Sequence, residues 1–131
     1  MFYRLKKKQL HNLINDSVSA SRDHGKEVCG LIVDTGYFLE LIQVKNRIKR
    51  GGSFAFYLDE IQKIERAVSI LNYEIVGTFH SHPYYIAKPG KSDLAAAADN
   101  ELMLIINSLD KEAMLWKAKN KSAKKVKFEL I

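Results

Sequence analysis

The chain has 131 residues, 47% hydrophobic and 27% charged, which suits one ordinary globular domain (1–131) and excludes a disordered chain. Its net charge of +6 invites a nucleic-acid reading, but the lone Cys29 excludes a disulfide scaffold and a Cys-rich zinc finger. The cleanest apolar run, Leu102 to Ile106, is far too short to span a bilayer, and Lys6, Lys7 and Lys8 have no apolar stretch behind them to make a secretory signal. A small cytoplasmic α/β domain with no membrane partner is the expectation.

In chain order, Lys6 to Asp23 reads as a helix, with Leu10, Leu13, Ile14 and Val18 at helical spacing and Gly25 ending it. Val28 to Val33 fits a buried strand, and after an Asp34-Thr35-Gly36 turn Tyr37 to Val44 fits its hairpin partner. Asn46 to Gly52 is a basic loop, and Phe54 to Leu58 reads as a short strand. Asp59 to Leu71 reads as a helix with Asp59 as its cap. Glu74 to His82 is a strand stopped by Pro83, and Pro89-Gly90 marks a turn in the loop from Tyr84 to Ser92. Asp93 to Asn100 is a short alanine-rich helix. Leu102 to Ile106 and Ala113 to Lys119 read as strands joined by a turn at Ser108 to Lys111, and Lys124 to Ile131 as a last strand. The order predicts a mixed α/β domain with a largely antiparallel sheet flanked by helices.

The chemistry concentrates at His80 and His82. Two apart on a strand, they project from one face about 6–7 Å apart along the backbone, at the strand's end, where ligand sites concentrate. The turn at Pro83 leads to Asp93 at the start of the alanine helix, a fixed, cap-like position. Two imidazoles and a carboxylate form a catalytic zinc set with a fourth position for water; Fe²⁺ or Ni²⁺ can occupy similar ligands. Glu27 opens the apolar strand Val28-Cys29-Gly30-Leu31, an odd place for a carboxylate without a use. If that strand lies beside the one bearing the histidines, Glu27 can serve as general base and then general acid in metal-assisted amide hydrolysis.

Glu27-Val28-Cys29-Gly30, then His80-Ser81-His82-Pro83, then Asp93 after ten intervening residues, resembles the JAMM (MPN-plus, Mov34/MPN/PAD-1) zinc metallopeptidases. The match runs from about Glu27 to Asn100. The resemblance implies a cytidine-deaminase-like layered α/β fold, one Zn²⁺ with a bound water held by His80, His82 and Asp93, and Glu27 as the base. It also implies cleavage of a peptide or isopeptide bond beside the C-terminal tail of a ubiquitin-like protein; small prokaryotic members include sulfur-carrier processors and domains of phage-tail peptidases. One position departs. The family places serine three residues before the aspartate, to help hold the oxyanion, and this chain has Gly90. Ser92, or a backbone N–H exploiting glycine's freedom at Gly90, is the alternative donor; losing one such donor costs roughly 10²–10³ in kcat.

Simpler readings compete elsewhere. Cys29 reads as a small buried residue, His11 and His24 have no evident partner, and Tyr84 and Tyr85 are either a substrate platform or loop packing. Lys117, Lys119 and Lys121 alternate, and with Lys124, Lys125 and Lys127 they read as protection of an edge strand or as a surface for an acidic partner. Aromatic residues are sparse there, so nucleic acid ranks last. Expected partners are a ubiquitin-like or sulfur-carrier tail and, in a homodimer, a second copy. A scaffold that binds proteins without turnover is the alternative to the enzyme.

Overall fold

The computed structural model describes residues 3–49, 52–83 and 87–131. The elements are β1 (Tyr3–Leu5), α1 (Lys7–Arg22), β2 (Cys29–Asp34), β3 (Leu39–Val44), α2 (Leu58–Ile70), β4 (Glu74–His82), α3 (Lys91–Ala96), β5 (Leu102–Asn107), β6 (Glu112–Lys119), β7 (Ser122–Val126) and β8 (Phe128–Leu130). The eight strands make one mixed sheet in the order β7-β6-β5-β4-β2-β3-β1-β8. The hairpin β2–β3 and the pairs β2–β4, β5–β6 and β6–β7 are antiparallel, while β4–β5, β1–β3 and β1–β8 are parallel.

Strands β7 and β8 hold opposite ends of that order, yet only Lys127 separates them in the chain. The sheet therefore curls until its two edges meet, as strands must when a sheet closes on its core. The expected single strand from Lys124 to Ile131 breaks at Lys127 for this reason. Inside the curl, Leu10 and Leu13 of α1 pack with Leu5, Leu39, Leu41, Phe79, Leu104 and Leu115. The other face is covered at one end by α2, whose Ile64, Ala67 and Val68 line a cavity with Val33 and Ile42. Elsewhere on that face, Leu94 and Ala97, on and just after α3, pack on Met103, Trp116 and Ala118.

Most expected elements are present, with boundary shifts of a few residues. Of the expected strand Phe54 to Leu58, Phe54 to Tyr57 is irregular and Leu58 starts helix α2, so Asp59 lies in its first turn beside Glu60 and does not cap it. There the two carboxylates complement the helix dipole. Helix α1 ends at Arg22, and His24 and Gly25 both turn left-handed (φ 60° and 66°). Strand β1, three residues long, has too little pattern to read in sequence. Lys121 sits in the β6–β7 turn at φ 60° with its ammonium on the Ala95 carbonyl, so it does not share the alternation of Lys117 and Lys119. Lys124 and Lys125 do lie on the edge strand β7. No helix among the described residues is long and apolar enough to cross a membrane.

Gly30 has a steric duty. It pairs with Phe79 across β2–β4, and a Cβ there would run into the Phe79 ring and the Ile42 carbonyl. Overpacking of this kind costs typically about 1–3 kcal/mol. Gly30→Ala is therefore expected to lower the unfolding free energy by at least that margin, read as a lower denaturant midpoint at unchanged m-value; a parental midpoint would contradict the packing described.

Candidate metal centre

The β2–β4 ladder builds the site. Cys29 pairs with His80, Leu31 with Thr78 and Gly30 with Phe79. Alternation sends Phe79 into the core and Thr78, His80 and His82 to the opposite face. Just before β2, the Val28 N–H donates to Ser81 Oγ (2.9 Å) and the Ser81 N–H donates to the Val28 carbonyl (3.0 Å). These two bonds carry the strand contact past the start of β2 and bring Glu27 beside the histidines. Glu27, expected to open the strand, lies two residues ahead of it and is 5% exposed.

The Nε2 atoms of His80 and His82 face each other at 3.0 Å. Asp93 Oδ2 lies 3.5 Å from the first and 3.9 Å from the second. A tetrahedral ion with bonds of about 2.0–2.1 Å spaces its ligand atoms by about 3.3–3.4 Å, and the three separations bracket that value. Two imidazole nitrogens and one carboxylate, all converging, form a donor set that fits a divalent cation; no other such group of three occurs among the described residues.

Asp93 stands at the third position of α3, rather than ahead of the helix, and its Oδ2 also accepts the Gly90 N–H (2.8 Å). Its carboxyl is held below the usual range: burial pushes it up, but hydrogen bonding and charge from His80, the Gly90 N–H and His82 together win. An ionised Asp93 is what a ligand role needs. Gly90 has an ordinary extended backbone (φ −84°, ψ 175°), and its N–H is already engaged. Of the two alternative donors, the one that relies on unusual backbone at Gly90 finds ordinary angles there, and the Gly90 N–H itself is not a spare oxyanion donor. Ser92 and Gly90 both line the cleft that holds the ligands. Tyr84 and Tyr85 lie outside the described residues.

The cleft has a volume of about 550 Å³, walled by Phe54, Phe56, Thr78, Met103 and Glu101 around the ligand set. Glu27 opens into it, with its carboxyl raised to about 7, chiefly by burial; His80 pulls it down and Asp93 pushes it further up. Cys29 is fully buried, and burial, then Glu27 and Glu60, drive its thiol up to about 12, so it is an inert packing residue as expected.

Sequence reasoning missed two contributors. Phe54 stacks on His80 with ring centroids 4.7 Å apart and planes 24° apart. Asn46 donates to the Glu27 carbonyl (2.9 Å). The polar Asn46 flanking the end of β3 was visible, but no periodicity links it to Glu27.

The family model for prokaryotic homologs of the JAB domain matches residues 14–119. The chain belongs to that family. Solved structures agree on the JAB fold. The solution structure of protein DSY2949 from Desulfitobacterium hafniense is similar over 99% of this chain and 93% of its own, with a TM-score of 0.81 at 21% identity. AF2198, a JAB1/MPN domain protein from Archaeoglobus fulgidus, has a TM-score of 0.63 at 18% identity, covering 99% and 98%. A structure described as a metalloprotease-like zinc site in the proteasome and signalosome, named JAMM, has a TM-score of 0.55 at 15% identity, covering 100% and 99%. No curated protein matches the sequence. The JAB chain thus has the layered α/β fold that the resemblance implies, with a His80-His82-Asp93 group compatible with a metal ion.

The raised Glu27 carboxyl has a consequence for metal-stripped protein. A carboxyl at 4.5 when unfolded and about 7 when folded favours folding in its protonated form. Its cost is absent below pH 4.5, grows as pH rises, and is complete above about 7. Glu27→Gln is expected to gain on the order of 3 kcal/mol over the parent at pH 8, and nothing at pH 4. Thermal melts of the two stripped proteins across that range check the sign; an equal gain at both pH values would refute it.

Proposed function

We propose that this JAB protein is a zinc-dependent hydrolase of a peptide or isopeptide bond next to the extended C-terminal tail of a ubiquitin-like or sulfur-carrier protein. The observation that carries the reading is the convergence of His80, His82 and Asp93 beside the buried Glu27 in one open cleft. Zinc, when bound, supplies Lewis acidity toward the scissile carbonyl and brings the pKa of its water to about 7.

The chain's own residues do the rest. Glu27, buried beside the ligand set, takes a proton from the attacking water and returns it to the leaving nitrogen, base first and acid second. Phe54, Phe56 and Met103 give the cleft apolar walls that exclude water from a bound tail. An extended tail would bind as an added strand. Lys124 and Lys125 on β7, which make no ion pair among the described residues, suit an acidic carrier surface.

Zinc content and cleavage of a panel of carrier-protein fusions test the reading together. Glu27→Ala is expected to abolish hydrolysis while keeping stoichiometric metal, and His82→Ala to lose both. Hydrolysis at the parental rate in Glu27→Ala would remove the assigned base.

Gly90 favours a second reading, a scaffold that binds partners with weak or no turnover, because the family's serine hydroxyl is missing and the Gly90 N–H is committed to Asp93. The two readings separate by substitution. A Cβ at Gly90 meets only Asp93 Oδ2 at 3.6 Å, ordinary contact, so serine fits without strain. Gly90→Ser is expected to raise kcat by up to roughly 10²–10³ at unchanged metal content; an unchanged or lower kcat would take Gly90 out of the argument.

A further inference from the structure

A metal-ligating imidazole is ordinarily oriented by a partner on its other ring nitrogen. His80 lacks one. Its Nδ1 is buried without a hydrogen-bond partner, although the residue is only 2% exposed. Besides its Nε2 contacts with His82 and Asp93, the ring is held by the face of Phe54, stacked at 4.7 Å. Phe54 lies on an irregular segment rather than on a strand or helix, so something must hold it there.

That something is Asn46. Its Oδ1 accepts the N–H groups of Ile48 (2.9 Å) and Ala55 (3.1 Å). Its Nδ2 donates to the carbonyls of Glu27 (2.9 Å) and Ser53 (3.3 Å). An asparagine amide has two donors and two lone pairs to offer, and all four are used. Turning the amide over would set donors against donors and acceptors against acceptors, so its orientation is fixed by its neighbours. The Arg47 N–H bond to the Ala55 carbonyl (2.9 Å) closes the same knot. Ser53 and Ala55 flank Phe54 directly. One side chain therefore grips the peptide on either side of the aromatic that orients His80, and also the backbone of Glu27.

We propose that Asn46 is a positioning residue of the metal centre: it seats Phe54 against His80 and tethers Glu27, coupling the ligand set to the base. The inference rests on the metal reading given above. It assigns the two halves of the amide different duties. Oδ1, through Ala55, serves the ligand; Nδ2 serves the base through Glu27 and adds to the seating of Phe54 through Ser53.

The test is Co²⁺ titration followed by d–d absorption in the parent, Asn46→Ala, Asn46→Asp, Phe54→Ala and the Asn46→Ala/Phe54→Ala pair, with thermal melts alongside. Asn46→Ala and Phe54→Ala are each expected to weaken Co²⁺ binding about 10–100-fold, the range for outer-shell supports. The double variant is expected to lose no more than Asn46→Ala alone, because both changes remove one support. Asn46→Asp keeps the acceptors for Ile48 and Ala55 but loses the donor to Ser53, and is expected to lose less Co²⁺ affinity than Asn46→Ala. It loses the donor to Glu27, so exchange of the neighbouring Val28 amide is expected to quicken. Parental affinity in Asn46→Ala, additive losses in the double variant, or an Asn46→Asp loss as large as that of Asn46→Ala would each overturn the assignment. If Asn46→Ala fails to fold, Asn46→Asp and Phe54→Ala decide, and parental affinity in Phe54→Ala overturns it. A parent that binds no Co²⁺ sinks the metal reading and this inference together, whereas a tight-binding parent with an indifferent Asn46→Ala sinks this inference alone.

Discussion

The register of β2 against β4 is the constraint on which the site depends. With Cys29 opposite His80, the two histidines face the cleft, Phe79 faces the core, and the Val28–Ser81 pair of bonds brings Glu27 level with the ligands. A slip of one residue would exchange those faces, burying two imidazoles among leucines and turning Phe79 to solvent. The notch at Gly30 acts as the key. The Phe79 ring occupies the space a Cβ would need, so the aligned register is the one in which both strands pack. The glycine of the Glu27-x-x-Gly30 pattern thus has a mechanical role, three residues from the carboxylate it indexes. The pairing shifts by one residue between Ile32 and Val33, beyond the site, which leaves the alignment of Cys29 with His80 undisturbed.

That dependence explains what could be read from the sequence. His80 and His82 needed only the two-residue period of one strand, and Asp93 only its spacing and the helix after it. Glu27 needed the assumption that two strands are neighbours, which the hydrophobic runs on both supported. Asn46 and Phe54 offered nothing of this kind. Asn46 works through backbone groups of a loop with no period, and Phe54 was read as part of a strand because its aromatic neighbours imitate one. The same limit holds at the sheet edges. The break at Lys127 follows from closure of the whole sheet, while the local sequence Lys124 to Ile131 reads as one unbroken extended run.

The site face carries its polar groups at the expense of packing, and the structure offsets that locally. Cys29, directly opposite His80 on the neighbouring strand, is buried there without adding a charge, since its thiol is driven to about 12. Leu31 pairs with Thr78 beyond it, and Met103 on β5 brings the wall that meets α3. Glu27 and Asp93 then behave differently for a physical reason. Both are penalised by burial, but Asp93 receives a backbone N–H and two imidazoles within 4 Å, whereas Glu27 receives chiefly the charge of His80 and remains near neutrality. One carboxylate is held ionised, as a metal ligand needs, and the other sits near neutral pH, as a proton-exchanging group needs.

Charge is distributed to the same end. The chain is basic overall, yet no Lys or Arg among the described residues lines the cleft, while Glu27, Asp93 and Glu101 do. A negative cleft in a positive protein focuses the field on its own mouth and raises the local concentration of cations. A lysine inside would compete for Asp93 and raise the cost of bringing a divalent ion to it. The lysines of β7 and of the β6–β7 turn sit instead on the outside of the sheet, where Lys121 spends its ammonium on the Ala95 carbonyl and so braces the helix that carries Asp93. The surplus that first suggested a polyanion therefore serves the centre indirectly, by staying out of the cleft.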